Sequence, residues 1–360
     1  MSRRILSLFV LVTALLLNPL QAADRLDMPA LQQAQQENLL LLSVEKAGDR
    51  LVASGEHGVV IFSDDQGQHW QQAEVPGSTL LTSLHFFDNQ TGWAVGHDGL
   101  LLKTVDGGAH WQKRLDGNQI NQLRVDAIEQ TLAQLNGEEE PDQERIEMLE
   151  YKLEDAAVAL EEGPSSPLLD VLFISPERGF LIGAYGLMLT TDDGGESWHS
   201  AGHQLPNPDG LHLNRIFETA RGELFLLGEA GLVLSSLDAG TTWGVVETPY
   251  QGSFFSAVES DALYLMGLRG NAYRRLPDDS WEKVELPVTA TINDAVVVDG
   301  RAYLVGQGGA LLQQQNSEFI NFSARGLRSY SAVTAINGYL LIVGEEGVKR
   351  IRLDGVTEHE

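Results

Sequence analysis

The stretch GHDGLLLKTVDGGAHW, residues 96–111, decides the fold of this chain because its pattern recurs along the sequence. It consists of a Gly-x-x-Gly pair, an apolar strand, and the element Ser/Thr-x-Asp-x-Gly-x-x-Trp. Three further copies begin at Gly55, Gly183 and Gly228, and each places its second glycine twelve residues before its tryptophan. Such regular spacing is typical of a repeat architecture.

Three weaker copies follow, in which part of the pattern is lost. The distance from Gly270 to Trp281 is one residue shorter than in the four strong copies. The later glycine pairs at 306/309 and 344/347 are followed by no tryptophan. The second glycines therefore lie at 58, 99, 186, 231, 270, 309 and 347, with spacings of 41, 87, 45, 39, 39 and 38 residues. The residue pattern of each unit predicts four short strands separated by turn residues. The sequence thus predicts an all-β fold, a seven-bladed β-propeller of four-stranded blades.

The last blade needs a fourth strand, although little of the chain follows Arg352. We infer that a segment near Leu26 to Gln36 pairs with this blade and joins the two ends of the ring.

The spacing of 87 residues contains an insertion, residues 117–163, between blades 2 and 3. Apolar residues recur at helical spacing on both sides of a turn at 137–141, and they are Ile128, Leu132, Leu135, Ile146, Leu149, Leu153 and Leu160. This pattern predicts an α-helical hairpin. Two interpretations remain: the apolar stripes of the hairpin bury only each other, or the hairpin is an arm that docks another protein.

Composition narrows the possible functions. The chain has 51 acidic against 24 basic residues and a formal net charge of −27, which disfavours nucleic acid as a partner. It has no cysteine, so disulfides, thiol catalysis and cysteine-bound metals are excluded.

Residues 1–22 have the layout of a signal peptide. Arg3 and Arg4 precede an uncharged run from Ile5 to Leu17, and Ala22 offers a small residue for cleavage. A retained N-terminal anchor is the alternative, but the run is short for a membrane span. We therefore expect export to the periplasm and a propeller that occupies residues 23–360.

The Ser/Thr-x-Asp-x-Gly-x-x-Trp element resembles the Asp box (BNR repeat) of sialidase-like propellers. In such a turn an aspartate accepts backbone hydrogen bonds and the tryptophan buries a large apolar area. Because the element recurs in four blades, we interpret it as scaffold rather than as an active site. Its residues are Asp65, Trp70, Asp106, Trp111, Asp193, Trp198, Asp238 and Trp243.

Two longer motifs resemble those of the photosystem II assembly and stability factor family. They are GWAVG at 92–96 with Asp106-Gly-Gly108, and GFLIG at 179–183 with Asp193-Gly-Gly195. The resemblance covers nearly all of residues 38–350 and implies a non-enzymatic propeller that helps to assemble or stabilise a membrane complex. Photosynthetic members use an arginine-rich face, and no such cluster is visible here. We therefore expect an integral membrane protein or a transporter as the partner.

The insertion and the Gly-x-x-Gly turns are expected on one face of the propeller. The variable middle residues of these turns form a candidate binding face, or else they are unconstrained turn tips. The candidates are His57, His97, Asp98, Tyr185, Glu229, Arg269 and Glu345. A metal shared by His57, His97 and Asp98 is a weaker alternative, so no metal and no cofactor are predicted.

Aligned by their glycines, the innermost strands place one polar residue each at the central channel. These residues are Ser43, Ser83, Asp170, Arg215, Ser256, Asp294 and Ser331. Asp170, Arg215 and Asp294 are then the only expected charges there. These three residues either have a structural role in a water-filled channel or form an electrostatic site for a ligand.

The function predicted from these patterns is a non-catalytic periplasmic scaffold for protein interactions. A sialidase-like glycoside hydrolase is the first alternative, but it requires several converging arginines, and the Arg-Ile-Pro motif is absent; Asn214-Arg215-Ile216-Phe217 is the nearest fragment. A carbohydrate- or lipid-binding module of the envelope is the second alternative.

Overall fold

The structure is a computed structural model that describes residues 24–323 and 328–353. These residues form six antiparallel sheets of four strands and a seventh sheet of three. Consecutive strands are neighbours within every sheet, as in propeller blades, so the predicted seven-bladed propeller is confirmed. The predicted signal peptide, residues 1–22, lies outside the described residues.

The first three blades follow one another from residue 41 to residue 200. Blade 1 consists of β1 (Leu41–Ala47), β2 (Arg50–Gly55), β3 (Val60–Ser63) and β4 (Gln71–Gln72). Blade 2 consists of β5 (Leu81–Phe86), β6 (Gly92–Gly96), β7 (Leu101–Thr104) and β8 (Gln112–Leu115). Blade 3 consists of β9 (Leu168–Phe173), β10 (Gly179–Gly183), β11 (Met188–Thr191) and β12 (His199–Ser200).

The remaining blades occupy residues 213–352. Blade 4 consists of β13 (Leu213–Glu218), β14 (Leu224–Gly228), β15 (Val233–Ser236) and β16 (Gly244–Val245). Blade 5 consists of β17 (Phe254–Glu259), β18 (Leu263–Gly267), β19 (Asn271–Arg275) and β20 (Trp281–Glu285). Blade 6 consists of β21 (Ile292–Val298), β22 (Arg301–Gly306), β23 (Ala310–Gln315) and β24 (Glu318–Asn321). Blade 7 consists of β25 (Tyr330–Ile336), β26 (Tyr339–Gly344) and β27 (Gly347–Arg352).

The second strand of each blade is apolar because both of its faces are covered. Every residue of β6, β10, β14 and β18 is buried between the neighbouring sheets. The ring of Trp93 stacks on that of Phe173 at 3.5 Å between centroids, which joins blades 2 and 3. The core is therefore a circle of interfaces between blades.

The ring closes where blade 1 packs on blade 7. Leu41, Val44 and Ala53 form one buried cluster with Ala332 and Val343. In the part of the chain that the structure describes, the two blades share no strand. Burial of apolar surface therefore holds the two ends together.

The segment from Leu26 to Gln36 forms no strand in blade 7, so the predicted pairing with this blade is wrong. Leu26 is buried in a cluster with Val75 and Leu100, between blades 1 and 2. The backbone N–H of Gln33 donates to the Gln72 side chain at 2.9 Å. The buried Leu26 and this hydrogen bond hold the segment against the outer strand of blade 1.

The first glycine of each Gly-x-x-Gly pair lies where two backbones meet. The N–H of His97, the residue after Gly96, donates to the carbonyl of Leu80 at 2.8 Å. A Cβ at Gly96 would collide with that same carbonyl oxygen. The equivalent hydrogen bond recurs in all seven blades, with donors Glu56, His97, Ala184, Glu229, Leu268, Gln307 and Glu345. The glycine is thus required by close approach rather than by its own backbone angles.

The insertion is a helical hairpin of α1 (Gly117–Leu135) and α2 (Gln143–Glu162), as predicted. Asp116 and Gln119 form a reciprocal capping box that starts α1, and Asp142 caps α2. Neither described helix is long and apolar enough to cross a membrane.

The hairpin has a core of its own and a fixed base. Its apolar stripes meet in one cluster, whose buried members are Ile128, Leu135, Ile146, Leu149 and Ala156. At the base, Ile120 packs into the core between blades 2 and 3. The buried Asn121 amide donates to the carbonyls of Ala159 and Gly163, at 2.8 and 3.1 Å. The arm is therefore fixed to the propeller rather than tethered loosely.

Candidate binding face and central channel

The hairpin and the Gly-x-x-Gly turns lie on the same face of the propeller. A Cβ added at Gly99 would lie 2.6 Å from the Cα of Gly117, where α1 begins. The third residue of most of these turns has left-handed backbone, with φ of 58° at His57, Asp98 and Tyr185. We call this side, with the hairpin, the turn face.

The predicted face residues do not come together as one cluster, although Tyr185 and Glu229 both contact His212. Asp98 pairs with Arg25 at 3.2 Å between the guanidinium nitrogen and Oδ2. His57 lies 3.6 Å from the carboxylate of its neighbour Glu56. No three His, Asp or Glu side chains in the described residues are grouped as metal ligands would be. The alternative of a metal at His57, His97 and Asp98 thus gains no support.

The other candidate residues on this face differ in their exposure and in their contacts. Glu229 accepts from the N–H of His212 at 3.1 Å and contacts its ring. Glu345 faces Arg328 at 3.8 Å. Tyr185 is 63% exposed with its ring edge against His212, and Arg269 is exposed as well. Among the described Gly-x-x-Gly turns, Tyr185 is therefore the most exposed large hydrophobic side chain.

The central channel contains six of the seven predicted polar residues at equivalent register positions, and several of their side chains connect neighbouring blades. In blade 7 the prediction is wrong by one residue, because the register shift places Ala332 rather than Ser331 at this position. Each inner strand has a register shift at this position. The Ser43 hydroxyl accepts from the N–H of Leu84 at 3.1 Å, and Asp170 accepts from the N–H of Ile216 at 3.0 Å. Such hydrogen bonds satisfy backbone groups that the bulges leave unpaired. Part of the ring is therefore structural.

The charges of the channel converge on Arg215. Its guanidinium lies 3.6 Å from Asp170 and 3.7 Å from Asp294. The attraction of Asp170 is the largest influence, and it raises the pKa of Arg215. Burial raises the pKa of Asp294, and Arg215 opposes that change. The cavity around these groups has a volume of about 280 Å³.

Glu45 is a fourth charged residue at the channel, which the sequence analysis missed. Burial raises its pKa to about 7, although Arg215 acts in the opposite direction. Glu45 lies two residues after Ser43 on β1, and side chains two apart share one face of a strand. This period-2 rule was the signal that could have identified it.

Replacing Glu45 by glutamine is expected to stabilise the protein at pH 8 and to have no effect near pH 4. The ordinary pKa of 4.5 applies to the unfolded chain, whereas the folded value is about 7. Between these values the folded state retains a proton that the unfolded state releases, so the wild type loses stability as pH rises. This pKa shift corresponds to a free-energy difference of about 3 kcal/mol. Because solvent at the channel screens the charge, we expect Glu45→Gln to stabilise the protein by roughly 2 kcal/mol at pH 8.

Urea unfolding at pH 4 and pH 8 measures this difference. Glu318→Gln, at an exposed site on blade 6, is the control for the loss of one charge. Parallel stability profiles of Glu45→Gln and the wild type would contradict the expectation.

The four Asp boxes share one hydrogen-bond pattern at the opposite face. In blade 4 the Ser236 hydroxyl donates to Asp238, and Asp238 accepts from the N–H groups of Thr241 and Thr242 at 3.1 and 2.9 Å. The hydroxyl and N–H of Thr242 lower the pKa of Asp238 to about 2. Trp111 and Trp198 of the equivalent boxes are buried. In this geometry the carboxylates stabilise turns.

The seven packed sheets and the repeated Asp-box turns define the class of protein, a BNR-repeat β-propeller. The model of a family described as photosynthesis system II assembly factor YCF48 matches residues 66–139 and 152–256. These findings place the chain in the photosystem II assembly factor-like family, as the sequence motifs predicted.

Curated relatives support the same family. The photosystem II stability/assembly factor HCF136 of Arabidopsis thaliana chloroplasts is 27% identical over 176 residues, 45% of this chain and 43% of the relative. The photosystem II assembly protein Ycf48 of Synechococcus sp. strain JA-2-3B'a(2-13) is 28% identical over 169 residues, 45% of this chain and 48% of the relative. The chain thus spans less than half the length of these curated relatives.

Solved structures of similar shape include two YCF48 proteins. One is YCF48 bound to D1 peptide, with a TM-score of 0.62, 15% identity, and coverage of 88% of this chain and 94% of that one. The other is YCF48 from Cyanidioschyzon merolae, with a TM-score of 0.62, 13% identity, and coverage of 88% and 97%. At this identity the likeness concerns the fold.

Proposed function

We propose that this propeller is a non-catalytic periplasmic scaffold that assists the assembly or stability of an inner-membrane complex or transporter. Family membership supports an assembly role, since the relatives are assembly and stability factors. The layout of residues 1–22 supports export to the periplasm. The D1 peptide bound to a YCF48 of the same fold supports a protein as the partner.

The observation that carries the proposal is the apolar surface of the hairpin. Met148, Tyr151 and Val158 of α2 lie at helical spacing and are 37, 65 and 54% exposed. The apolar core of the hairpin is already complete without them, because other residues fill it. Large apolar side chains left exposed on one side of a fixed arm are typical of a protein-interaction site.

Two features resemble catalytic groups, namely the Asp-box carboxylates and the charged central channel. Their contacts support a scaffold rather than an active site. The Asp-box carboxylates are occupied by backbone N–H groups of their own turns. Arg215 is the only arginine among the described residues that line the channel. A sialidase-like site needs several arginines around a substrate carboxylate, so the channel gives that alternative no support.

Co-purification from detergent-solubilised envelopes tests the proposal. In the test variant, residues 118–162 are replaced by a short Gly-Ser linker, since Gly117 lies beside Pro164 and the cut ends therefore meet. We expect an integral membrane protein, identified by mass spectrometry, to be retained by the wild type and lost from this variant.

A point variant makes the test more specific. Tyr151→Ser combined with Val158→Ser removes apolar surface without removing the hairpin. Leu237→Ser is the matched control, because Leu237 is 84% exposed but lies in an Asp-box turn on the opposite face. Retention of the same membrane protein by all variants would overturn docking through the hairpin.

A further inference from the structure

A cavity of about 570 Å³ lies between the hairpin and blade 3, on the turn face. Its walls include Arg124 of α1, Tyr151 and Lys152 of α2, and Tyr185 of the blade 3 turn. The volume falls within the range of cavities that bind small molecules or short peptide segments. The cavity exists because the hairpin leans over the blade, so it belongs to the insertion rather than to the propeller alone.

Two partly buried cations of this cavity, Arg124 and Lys152, form no close ion pair with any described residue. In the described parts of the chain, no carboxylate lies within 4 Å of the charged nitrogens of Arg124 or Lys152. Lys152 reaches only the carbonyl of Asn207, at 3.5 Å. By contrast, the partly buried Arg275 is paired with Glu223 at 2.6 Å. In so acidic a protein, two cations that line one cavity without an ion pair form a site that an anion can complete.

Burial acts on both cations in the same direction. It lowers the pKa of Lys152, and it lowers the pKa of Arg124 against the attraction of Asp155. Both groups therefore gain from a bound anion, which would restore part of the stabilisation that water provided. His203, also at the wall, adds no positive charge near neutral pH, since burial lowers its pKa to about 4.

The rim of the cavity limits which anions enter. Asp155, Glu162 and Asp209 line it and are exposed. Their charges repel polyanions such as nucleic acids much more strongly than a ligand with one carboxylate. The exposed rings of Tyr151 and Tyr185 offer contact area to an apolar group beside that carboxylate.

We propose that this cavity binds a single carboxylate carried next to an apolar or aromatic group on a peptide segment of the partner. The two cations hold the carboxylate, and the tyrosines contact the apolar group. The inference rests on the proposed function, since it takes the ligand to be part of a protein. Either a chain terminus or an acidic side chain supplies this chemistry.

Isothermal titration calorimetry with defined probes tests the site. N-acetyl-L-phenylalanine presents a terminal carboxylate, and the peptide acetyl-Phe-Asp-Phe-amide presents a side-chain carboxylate. Their matched controls are N-acetyl-L-phenylalanine amide and acetyl-Phe-Asn-Phe-amide. We expect at least one carboxylate probe to bind about tenfold more tightly than its neutral control, since a charge-assisted hydrogen bond contributes that much. The stronger of the two probes identifies the source of the carboxylate.

Substitutions locate the binding. Arg124→Gln and Lys152→Gln should each weaken the carboxylate probe about tenfold and leave the neutral probe unchanged. Arg221→Gln, which removes one charge at an exposed turn of blade 4, should bind like the wild type. Thermal unfolding monitored by circular dichroism establishes that the variants are folded, and Arg124→Lys should retain most of the affinity.

Equal binding of charged and neutral probes, absence of binding, or full affinity in both glutamine variants would overturn the inference. If these probes fail while the hairpin variant loses its membrane partner, the proposed function stands without this site. If the probes bind and no membrane partner is captured, the cavity chemistry stands and the scaffold role fails.

Discussion

Replacing Arg215 by methionine is expected to lower the free energy of unfolding by roughly 3 to 5 kcal/mol at pH 8. Arg215 is the cation that offsets Glu45, Asp170 and Asp294 in the channel. Its removal leaves three carboxylates around one cavity without a compensating cation, and such uncompensated charge is strongly destabilising. Methionine retains much of the volume, so the effect reports charge rather than a cavity.

The pH dependence of the Arg215→Met variant separates charge from packing. Near pH 5, protonation of Glu45 relieves much of the repulsion, because its pKa is already raised to about 7 with the arginine present. The destabilisation relative to wild type should therefore be much smaller at pH 5 than at pH 8 in urea unfolding. Arg221→Met, at an exposed turn of the same blade, should change stability little at either pH. An equal loss at both pH values would refute the electrostatic account.

Replacing Gly96 by alanine is expected to destabilise the fold by about 3 kcal/mol, near the upper end for overpacking. The added methyl would collide with the carbonyl oxygen of Leu80 and lie 3.0 Å from the Cα of Leu81. These are backbone atoms, so they cannot rotate away as a side chain does. Relief requires moving β5 from β6 and weakening the hydrogen bond between His97 and Leu80.

Gly244→Ala provides the matched control for Gly96→Ala. Gly244 also lies in a strand, but a Cβ there would have no heavy atom within 4 Å and its φ is not left-handed. Urea unfolding of the two variants compares the same added methyl in crowded and open surroundings. Similar stability of the two variants would show that the Gly-x-x-Gly pair does not need its first glycine.

The blades could be predicted from sequence because their determinants are local. Each Gly-x-x-Gly pair, and each Asp box that follows it, lies within one unit, so spacing alone reveals it. The hairpin stripe was visible for the same reason, since Ile146 and Leu149 meet residues of the adjacent helix.

Features that depend on contacts between distant units were not predictable in this way. No pattern in the sequence indicates that the Leu26 side chain is buried between blades 1 and 2 rather than near blade 7. Glu45 does not lie at the position that the inner strands share, since it is two residues beyond Ser43 on β1. The cavity beside Arg124 and Lys152 depends on the angle between the hairpin and blade 3, which no local pattern encodes.

The packing of blade 1 on blade 7 has a consequence for how this protein reaches its native state. Leu41 and Val343 are separated by roughly 300 residues of chain, and closing so long a loop costs conformational entropy before any contact repays it. The seam can form only after the intervening blades have brought its two sides together. We therefore expect slow, late closure and a partly open ring as the dominant folding intermediate, with apolar sheet surface exposed to aggregation until the seam forms.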